Sequence, residues 1–454
     1  MTTPHFKKSI GRSSSRLALL LIPLVLVCIG LLPKAQAVSP PPPGGYPNFT
    51  TAAGDKALQA LTSGAGNTAI GNFSLFSITT GNFNTAVGAL SLDLNTADSN
   101  TAIGAAALLF NTTGTLNTAT GTAALEFNST GDSNTANGAF ALFSNTEGGN
   151  NTAIGESSLL SNTTGSANTA IGSNALNENT TGSQNTATGA SALSSNDEGI
   201  KNTAVGVTAL SGNTTGNFNT GVGFLALGLN VTGSSNTAIG NQTLVFNTTG
   251  DSNTATGANA LLNNTVGSDN TATGVFAVFS NTTGNLNTGV GFQALNANLT
   301  GSQNTAIGRD ALQVSNGGNH NTALGAAAGI SVTTASNNTA LGFTAGSSVT
   351  TANNVISIGA VGANVDNSCF IGNISGVAIT GVPVVVAGNG QLGVAPAGSP
   401  LSANELLKQQ RVVQELKTRI ALQEGQIKAL TAGVQKVSAQ LEASKPAPQV
   451  VNNP

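Results

Sequence analysis

The five-residue motif N-T-A-x-G, in which glycine twice replaces the alanine, occurs seventeen times in this chain of 454 residues. Its first residue runs from Asn67 to Asn338, and fifteen of the sixteen intervals are 17 residues long while one is 16. So strict a short period predicts a solenoid, in which one supersecondary unit stacks on copies of itself. Because solenoids offer long surfaces and few enclosed cavities, the repeat favours a fibre-like protein over an enzyme.

Each repeat unit has a regular internal order. The motif glycine is present in every copy, and the residue before it is usually Ile, Val or Leu. A leucine stands four residues after the glycine in fourteen copies, and a turn sequence, most often N-T-T-G, closes the unit. Glycine supplies the positive backbone angles of a corner, so the pattern predicts a short strand, a corner, a second short strand and a turn. The residues chosen to represent the structural repeat are Asn67, Thr68, Gly71, Leu75, Asn151, Gly155, Asn304 and Gly308.

Two columns of apolar side chains run along the predicted stack, one before the glycines and one formed by the leucines. We expect both columns to face inward, because a single unit buries too little apolar surface to offset the entropy of ordering it. A degenerate first copy keeps the phase at Thr51, Gly54 and Leu58. The sequence therefore predicts an all-β repeat solenoid, a parallel β-roll with 17-residue coils, over residues 50–358.

The beginning of the chain has the pattern of an export signal. Basic residues from Lys7 to Arg16 precede an apolar run from Leu17 to Leu32, and A-Q-A at 35–37 has the form of a signal peptidase site. This predicts a signal peptide at 1–37, a mature chain that begins at Val38, and a proline-rich spacer at 38–49. A membrane anchor is the alternative, although the run is shorter than a typical span of about 20 residues. We expect an exported protein at the cell surface, associated with an outer membrane, or extracellular.

The composition argues against catalysis and against nucleic acid as a partner. Between Val38 and Pro400 there are 14 acidic and 3 basic residues, a balance that disfavours binding to phosphates. No acid–base pair, nucleophile–base pair or metal-ligand cluster recurs in the repeat, so we expect no enzyme activity, no cofactor and no metal. Cys369, the one cysteine after the predicted cleavage site, is expected to be a small buried apolar residue.

The C-terminal part has a different pattern. Residues 359–400 are predicted to form a β-rich closing region and a linker. From residue 406 to 441, apolar residues and the two glutamines Gln409 and Gln423 alternate in steps of three and four. That spacing predicts a coiled coil over 401–444 and then a disordered tail at 445–454. Its apolar stripe requires self-association, through Leu406, Val413, Leu416, Ile420, Ile427, Leu430, Val434, Val437 and Leu441.

The unit N-T-A-I-G, A-L, N-T-T-G resembles the head repeat of the trimeric autotransporter adhesins, the YadA-like head. The resemblance covers about residues 50–358, and the coiled coil after it is similar to the stalk of that family. It implies a homotrimer of left-handed parallel β-rolls, whereas the seam alone, with Leu416 and Leu430 at d positions, leans towards a dimer. The chain departs from the family in its longer unit, and residues 445–454 do not resemble the strands of the family's membrane anchor.

With this resemblance, the sequence predicts an exported, trimeric, adhesin-like surface fibre. Its repetitive head would attach to an unidentified surface or extracellular ligand, and we expect no membrane-spanning segment in the mature chain. One alternative is a phage-type or secreted structural fibre without specific binding. A second alternative is an ice-binding solenoid, because a threonine recurs in register in all seventeen motifs, although threonines paired two residues apart occur in only four of them.

Overall fold

The computed structural model describes residues 48–372, short strands at 384–386 and 392–394, and a helix at 403–443 whose side chains are described from 411 to 442. The predicted signal peptide, residues 38–47 of the predicted spacer and the predicted tail at 445–454 lie outside the described residues. The chain divides into two compact units, with the boundary after Asn373. The first unit contains the repeat, and the second contains the helix.

Each motif forms one three-residue strand from its threonine, its alanine and the next residue. The strands pair in chain order, all parallel and in register, so that Thr68 lies beside Thr85. The next step, from Thr85 to Thr101, is 16 residues, and the last, from Ile356 to Cys369, is 13. This confirms an all-parallel β-solenoid with coils of 17 residues over most of its length. At a strand spacing of about 4.8 Å, the paired strands span roughly 90 Å.

The paired strands of residues 48–372 are twenty in number and extend past residue 358. They are β1 (Thr51–Ala53), β2 (Thr68–Ile70), β3 (Thr85–Val87), β4 (Thr101–Ile103), β5 (Thr118–Thr120), β6 (Thr135–Asn137), β7 (Thr152–Ile154), β8 (Thr169–Ile171), β9 (Thr186–Thr188), β10 (Thr203–Val205), β11 (Thr220–Val222), β12 (Thr237–Ile239), β13 (Thr254–Thr256), β14 (Thr271–Thr273), β15 (Thr288–Val290), β16 (Thr305–Ile307), β17 (Thr322–Leu324), β18 (Thr339–Leu341), β19 (Ile356–Ile358) and β20 (Cys369–Ile371).

The core of the solenoid is narrow and built mostly from small side chains. The motif alanine, such as Ala170, and the alanine before the leucine, such as Ala175, are fully buried. The leucine column is buried too, as at Leu176, which confirms the inward orientation predicted for it. Buried asparagines such as Asn168 and Asn179 complete the interior. Most coils therefore contribute one large apolar side chain to the core, whereas Gly329 and Gly346 occupy the leucine position in two coils.

The column of residues before the glycines faces outward, so the prediction that it packs in the core is wrong. Ile171 is 40% exposed and Ile103 is 44% exposed. Successive residues of a strand point to opposite sides of the sheet. Since the motif asparagine and alanine point inward, the threonine and the residue before the glycine must point outward. A prediction based on hydrophobicity alone placed this column on the wrong side.

The predicted second strand after each corner is also wrong. Phe73 and Leu75, two and four residues after Gly71, have φ angles of 56° and 48°. These left-handed angles break an extended chain. The coils remain hydrogen-bonded here, since the amide of Leu75 donates to the carbonyl oxygen of Ser91 at 3.1 Å. Each described coil thus has one strand and an irregular return path.

Cys369 is exposed, so the prediction of a buried apolar role is wrong. In the sheet it lies beside Ile356, which in turn lies beside Thr339. It therefore occupies the outward-facing threonine position of the motif. The phase of the repeat, rather than the apolar character of the thiol, decides its orientation.

The second unit contains a hairpin and a helix. Strands β21 (Val384–Val386) and β22 (Leu392–Val394) pair antiparallel. Helix α1 (Ala403–Ala443) contains 41 residues and is about 60 Å long at the usual rise per residue. It is a single helix, and its pairing with other copies stays a prediction.

Candidate interaction surfaces

Two ladders of buried asparagines run along the inside of the solenoid. In the turn ladder, Nδ2 of Asn196 donates to Oδ1 of Asn179 at 2.7 Å and to the carbonyl oxygen of Gly199 at 3.0 Å. In the motif ladder, Oδ1 of Asn185 accepts the backbone amide of Asn202 at 2.9 Å. Buried polar groups that are satisfied in this way fix the register of neighbouring coils. The asparagines of the N-T-T triplets, which match a glycosylation acceptor sequence, are buried members of the turn ladder.

The residues chosen from the sequence as the structural repeat build the coil rather than a ligand site. Asn67 is buried and donates through Nδ2 to the carbonyl oxygen of Gly81 at 2.8 Å. Gly71 turns the corner with a φ of 135°, Leu75 is fully buried, and Thr68 is half-buried on the outer side of its strand. The other chosen residues repeat these roles: the corner glycines Gly155 and Gly308, with φ of 129° and 136°, and the ladder asparagines Asn151 and Asn304.

The outer side of the long sheet, here called the strand face, carries two parallel columns. The motif threonines form one column, and the residues before the glycines form the other. Five polar side chains interrupt the second column, at Thr120, Asn137, Thr188, Thr256 and Thr273. Its exposed apolar members are Ile70, Ile103, Ile154, Ile171, Val205, Ile239, Ile307, Leu324, Leu341, Ile358 and Ile371.

Helix α1 carries the residues predicted to mediate self-association. In the single chain their side chains are at least half exposed, from 50% at Leu416 to 70% at Leu430. The side chain of Leu406 lies outside the described residues. The others are exposed in the same way: Val413, Ile420, Ile427, Val434, Val437 and Leu441.

A third surface, which the sequence reasoning missed, is a cluster of aromatic rings on the return path of three successive coils. The rings of Phe110 and Phe127 stack with centroids 5.1 Å apart, and Phe143 meets Phe127 edge-on at 5.0 Å. Phe140 meets Phe143 at 5.8 Å. These four rings and Glu126 are here called the Phe127 cluster. All five side chains are partly exposed.

A longer period in the sequence could have revealed part of this surface. The pattern F-x-x-F-S occurs just after the corner glycine in three coils, at 73–77, 140–144 and 276–280. The paired rings contact each other in each case, with centroids 5.3 Å apart for Phe73 and Phe76 and 5.6 Å for Phe276 and Phe279. The copies lie four and eight coils apart. The F-x-x-F-S pattern therefore becomes visible only when units that are not neighbours are compared.

Two carboxyl groups on the return path are desolvated. Burial raises the pKa of Glu126 to about 7 from its ordinary value of 4.5, and burial also raises the pKa of Asp93. Oδ1 of Asp93 is buried without a hydrogen-bond partner. Among the described residues, the Glu126 carboxyl makes no hydrogen bond or ion pair. The two groups occupy the same position in coils two apart, with Leu109 between them.

Replacing Glu126 should make the solenoid more stable at alkaline pH. Burial raises the pKa of Glu126 in the folded state, so the folded chain favours the neutral carboxyl. The folding stability is therefore highest below about pH 4.5, where this carboxyl is neutral, and part of it is lost as the pH rises through about 7. Glu126→Gln should therefore raise the melting temperature at pH 8 and leave it nearly unchanged at pH 4. With allowance for solvent screening, the gain at pH 8 is about 1 to 2 kcal/mol. Glu178→Gln, at an exposed position three coils away, is the control and should have no such effect.

Within the described parts of the chain, no group of three or more His, Cys, Asp or Glu side chains could hold a metal ion. No helix in those parts combines the length and the apolarity needed to cross a membrane.

Comparison with models of known protein families finds no match, and comparison with curated protein sequences finds no significant match.

Proposed function

We propose that the chain is an exported, homotrimeric surface fibre that presents its solenoid for attachment, in the manner of a YadA-like adhesin head. One observation carries the proposal: two long apolar surfaces stay uncovered in the single chain. They are the apolar column of the strand face and the seam of α1. Extended apolar patches on an exported protein mark sites of association.

Each of these surfaces can be covered by the same surface of other copies. The seam of α1 has heptad spacing, which suits a parallel coiled coil. Polar interruptions occur at Gln409 and Gln423 in the helix and at five positions on the strand face, and they would fix the register of the copies. The resemblance to the YadA-like head supports three copies, and a dimer is the alternative for the seam alone.

Attachment would then fall to the surfaces that self-association leaves free. The return path and the turns repeat at every coil, so a weak contact with a ligand could be made many times along one fibre. The described solenoid has far more acidic than basic residues, which disfavours nucleic acid as that ligand. A secreted structural fibre without a specific ligand is the alternative.

Export is the part of the proposal that can be tested first. N-terminal sequencing of the cell-associated protein should give Val38-Ser39-Pro40, and a membrane-impermeant reagent should label the protein on intact cells. Labelling only after lysis, with Met1 still present, would contradict export. A cytoplasmic protein of similar size serves as the control for cell integrity.

A second candidate function, ice binding, is favoured by one feature of the strand face. Its threonines lie in register from strand to strand, as in Thr203 beside Thr220, at a spacing of about 4.8 Å. A flat, regular array of this kind could order water. Thermal hysteresis of the purified protein would support this function, and its absence would leave the surface fibre as the better candidate.

A further inference from the structure

We infer that the Phe127 cluster, with Glu126, is a binding site for an organic ammonium group, such as the quaternary ammonium of choline. The site is distinct from the strand face and from the seam of α1. It does not depend on the proposed function, because it uses only side chains of one solenoid. Aromatic walls with a nearby carboxylate are the means by which proteins recognise such cations.

The rings provide two walls at a right angle. The planes of Phe110 and Phe127 are nearly parallel, with 11° between them, while Phe143 is inclined by 83° to Phe127. Ring faces carry negative charge and ring edges positive charge. Since the rings contact each other, a cation would lie on the solvent side of the cluster, against a ring face that no neighbouring ring covers. Phe110 is 37% exposed, so part of the cluster is open to solvent.

Glu126 is placed to supply the negative charge. It precedes Phe127 directly, and its carbonyl oxygen accepts the amide of Phe110 at 2.9 Å. In its coil it occupies the position that Phe143 occupies in the next coil, and Phe143 contacts Phe127. The carboxylate therefore lies on the same side of the solenoid as the rings. An ionised carboxylate in such surroundings is unfavourable unless a cation approaches it.

The described solenoid offers no basic side chain to this site. No Lys, Arg or His occurs between Lys56 and Lys201, a stretch that extends about four coils on either side of Glu126. Elsewhere in residues 48–372 the basic residues are engaged: Lys56 lies 4.7 Å from the ring of Phe73, Lys201 lies 5.1 Å from that of Phe218, and Arg309 pairs with Asp310 at 2.8 Å. Two phenylalanine rings of this solenoid thus already contact ammonium groups. The Phe127 cluster has rings and a carboxylate but no ammonium group of the solenoid beside them.

The chain also contains a matched comparison. Phe276, Phe279 and Phe292 form a second aromatic cluster, with centroids 5.6 and 6.4 Å apart. The equivalents of Glu126 in that coil and its two neighbours are Leu262, Phe279 and Asn296, so the cluster has no carboxylate at this position. If rings alone were sufficient, both clusters would bind the ligand. If the carboxylate is required, only the Phe127 cluster would bind it.

Calorimetric titration of the mature chain with choline chloride tests the inference. At pH 8 choline should bind saturably, and at least about tenfold more tightly than its neutral carbon analogue 3,3-dimethylbutan-1-ol. Glu126→Gln should remove most of this preference, and Phe127→Leu should weaken binding. Phe279→Leu, in the cluster without a carboxylate, should leave binding unchanged. Choline should also raise the melting temperature at pH 8 in the natural chain but not in Glu126→Gln.

Three results would overturn the inference. They are equal binding of choline and its neutral analogue, unchanged choline binding in Glu126→Gln, and no saturable binding of choline at all. If Phe127→Leu fails to fold, the Glu126→Gln variant and the neutral analogue still decide the question. Sodium chloride at the same concentration controls for ionic strength.

Discussion

Leu176→Asp should unravel the solenoid around its coil and cost at least about 4 kcal/mol of folding stability. Leu176 is fully buried between coils. The substitution removes the one large apolar side chain of its unit and puts an unpaired charge among alanines and asparagines. Thermal unfolding by circular dichroism measures the loss of stability, and limited proteolysis should show new cleavage near residue 176. Asn174→Asp, at an exposed position of the same coil, is the control and should be nearly neutral.

Ile171→Asp, five residues away, should behave differently from Leu176→Asp. Its side chain lies on the strand face, so the charge stays in water and the coil should keep its β-structure. If the strand face is covered by other copies, the same change should weaken association. Equal unfolding by Ile171→Asp and Leu176→Asp would show that the two faces have been assigned wrongly.

Gly189→Ala should destabilise the solenoid about as much as Leu176→Asp does, because of the backbone geometry at Gly189. Gly189 turns the corner after β9 with a φ of 134°, which residues with a side chain rarely adopt. A Cβ there would lie 2.5 Å from the carbonyl oxygen of Gly206 in the next coil. Strain and overlap together should cost about 3 to 5 kcal/mol, measured by thermal unfolding.

Gly317→Ala is the matched control for Gly189→Ala. Gly317 lies in a turn without a positive φ, and the nearest atom to an added Cβ would be Oγ1 of Thr300 at 3.4 Å. The change should be close to neutral. A Gly189→Ala variant that melts with the natural protein would contradict the close approach of neighbouring corners.

The period of the repeat was sufficient to predict the solenoid. Gly71 and its equivalents indicated corners, and Leu75 and its equivalents indicated the core, because leucine recurs at that position in fourteen copies. The orientation of Ile171 could not be predicted in the same way. Its apolar character suggested burial, but alternation along the strand places it outside once Ala170 is inside. Apolar residues on an outer face are ambiguous until the other copies are considered.

The irregular return path was beyond prediction for a related reason. Leu75 adopts a left-handed backbone angle although it is not glycine. Its conformation is imposed by stacking, since the leucine must enter a narrow interior while its amide bonds to Ser91 of the next coil. The Phe127 cluster is not evident in any one unit, because its rings come from three coils. Both features depend on contacts between coils, which local sequence propensity does not describe.

Sedimentation equilibrium of the chain that begins at Val38 tests the proposed assembly most directly. The uncovered strand face and the seam of α1 predict self-association, and the resemblance to the YadA-like head makes three times the mass of one chain the expected result. Deletion of the residues after Pro400 removes the seam and should weaken this association. A mass equal to one chain, unchanged as the protein concentration rises, would contradict the homotrimer and with it the proposal of an adhesin-like surface fibre.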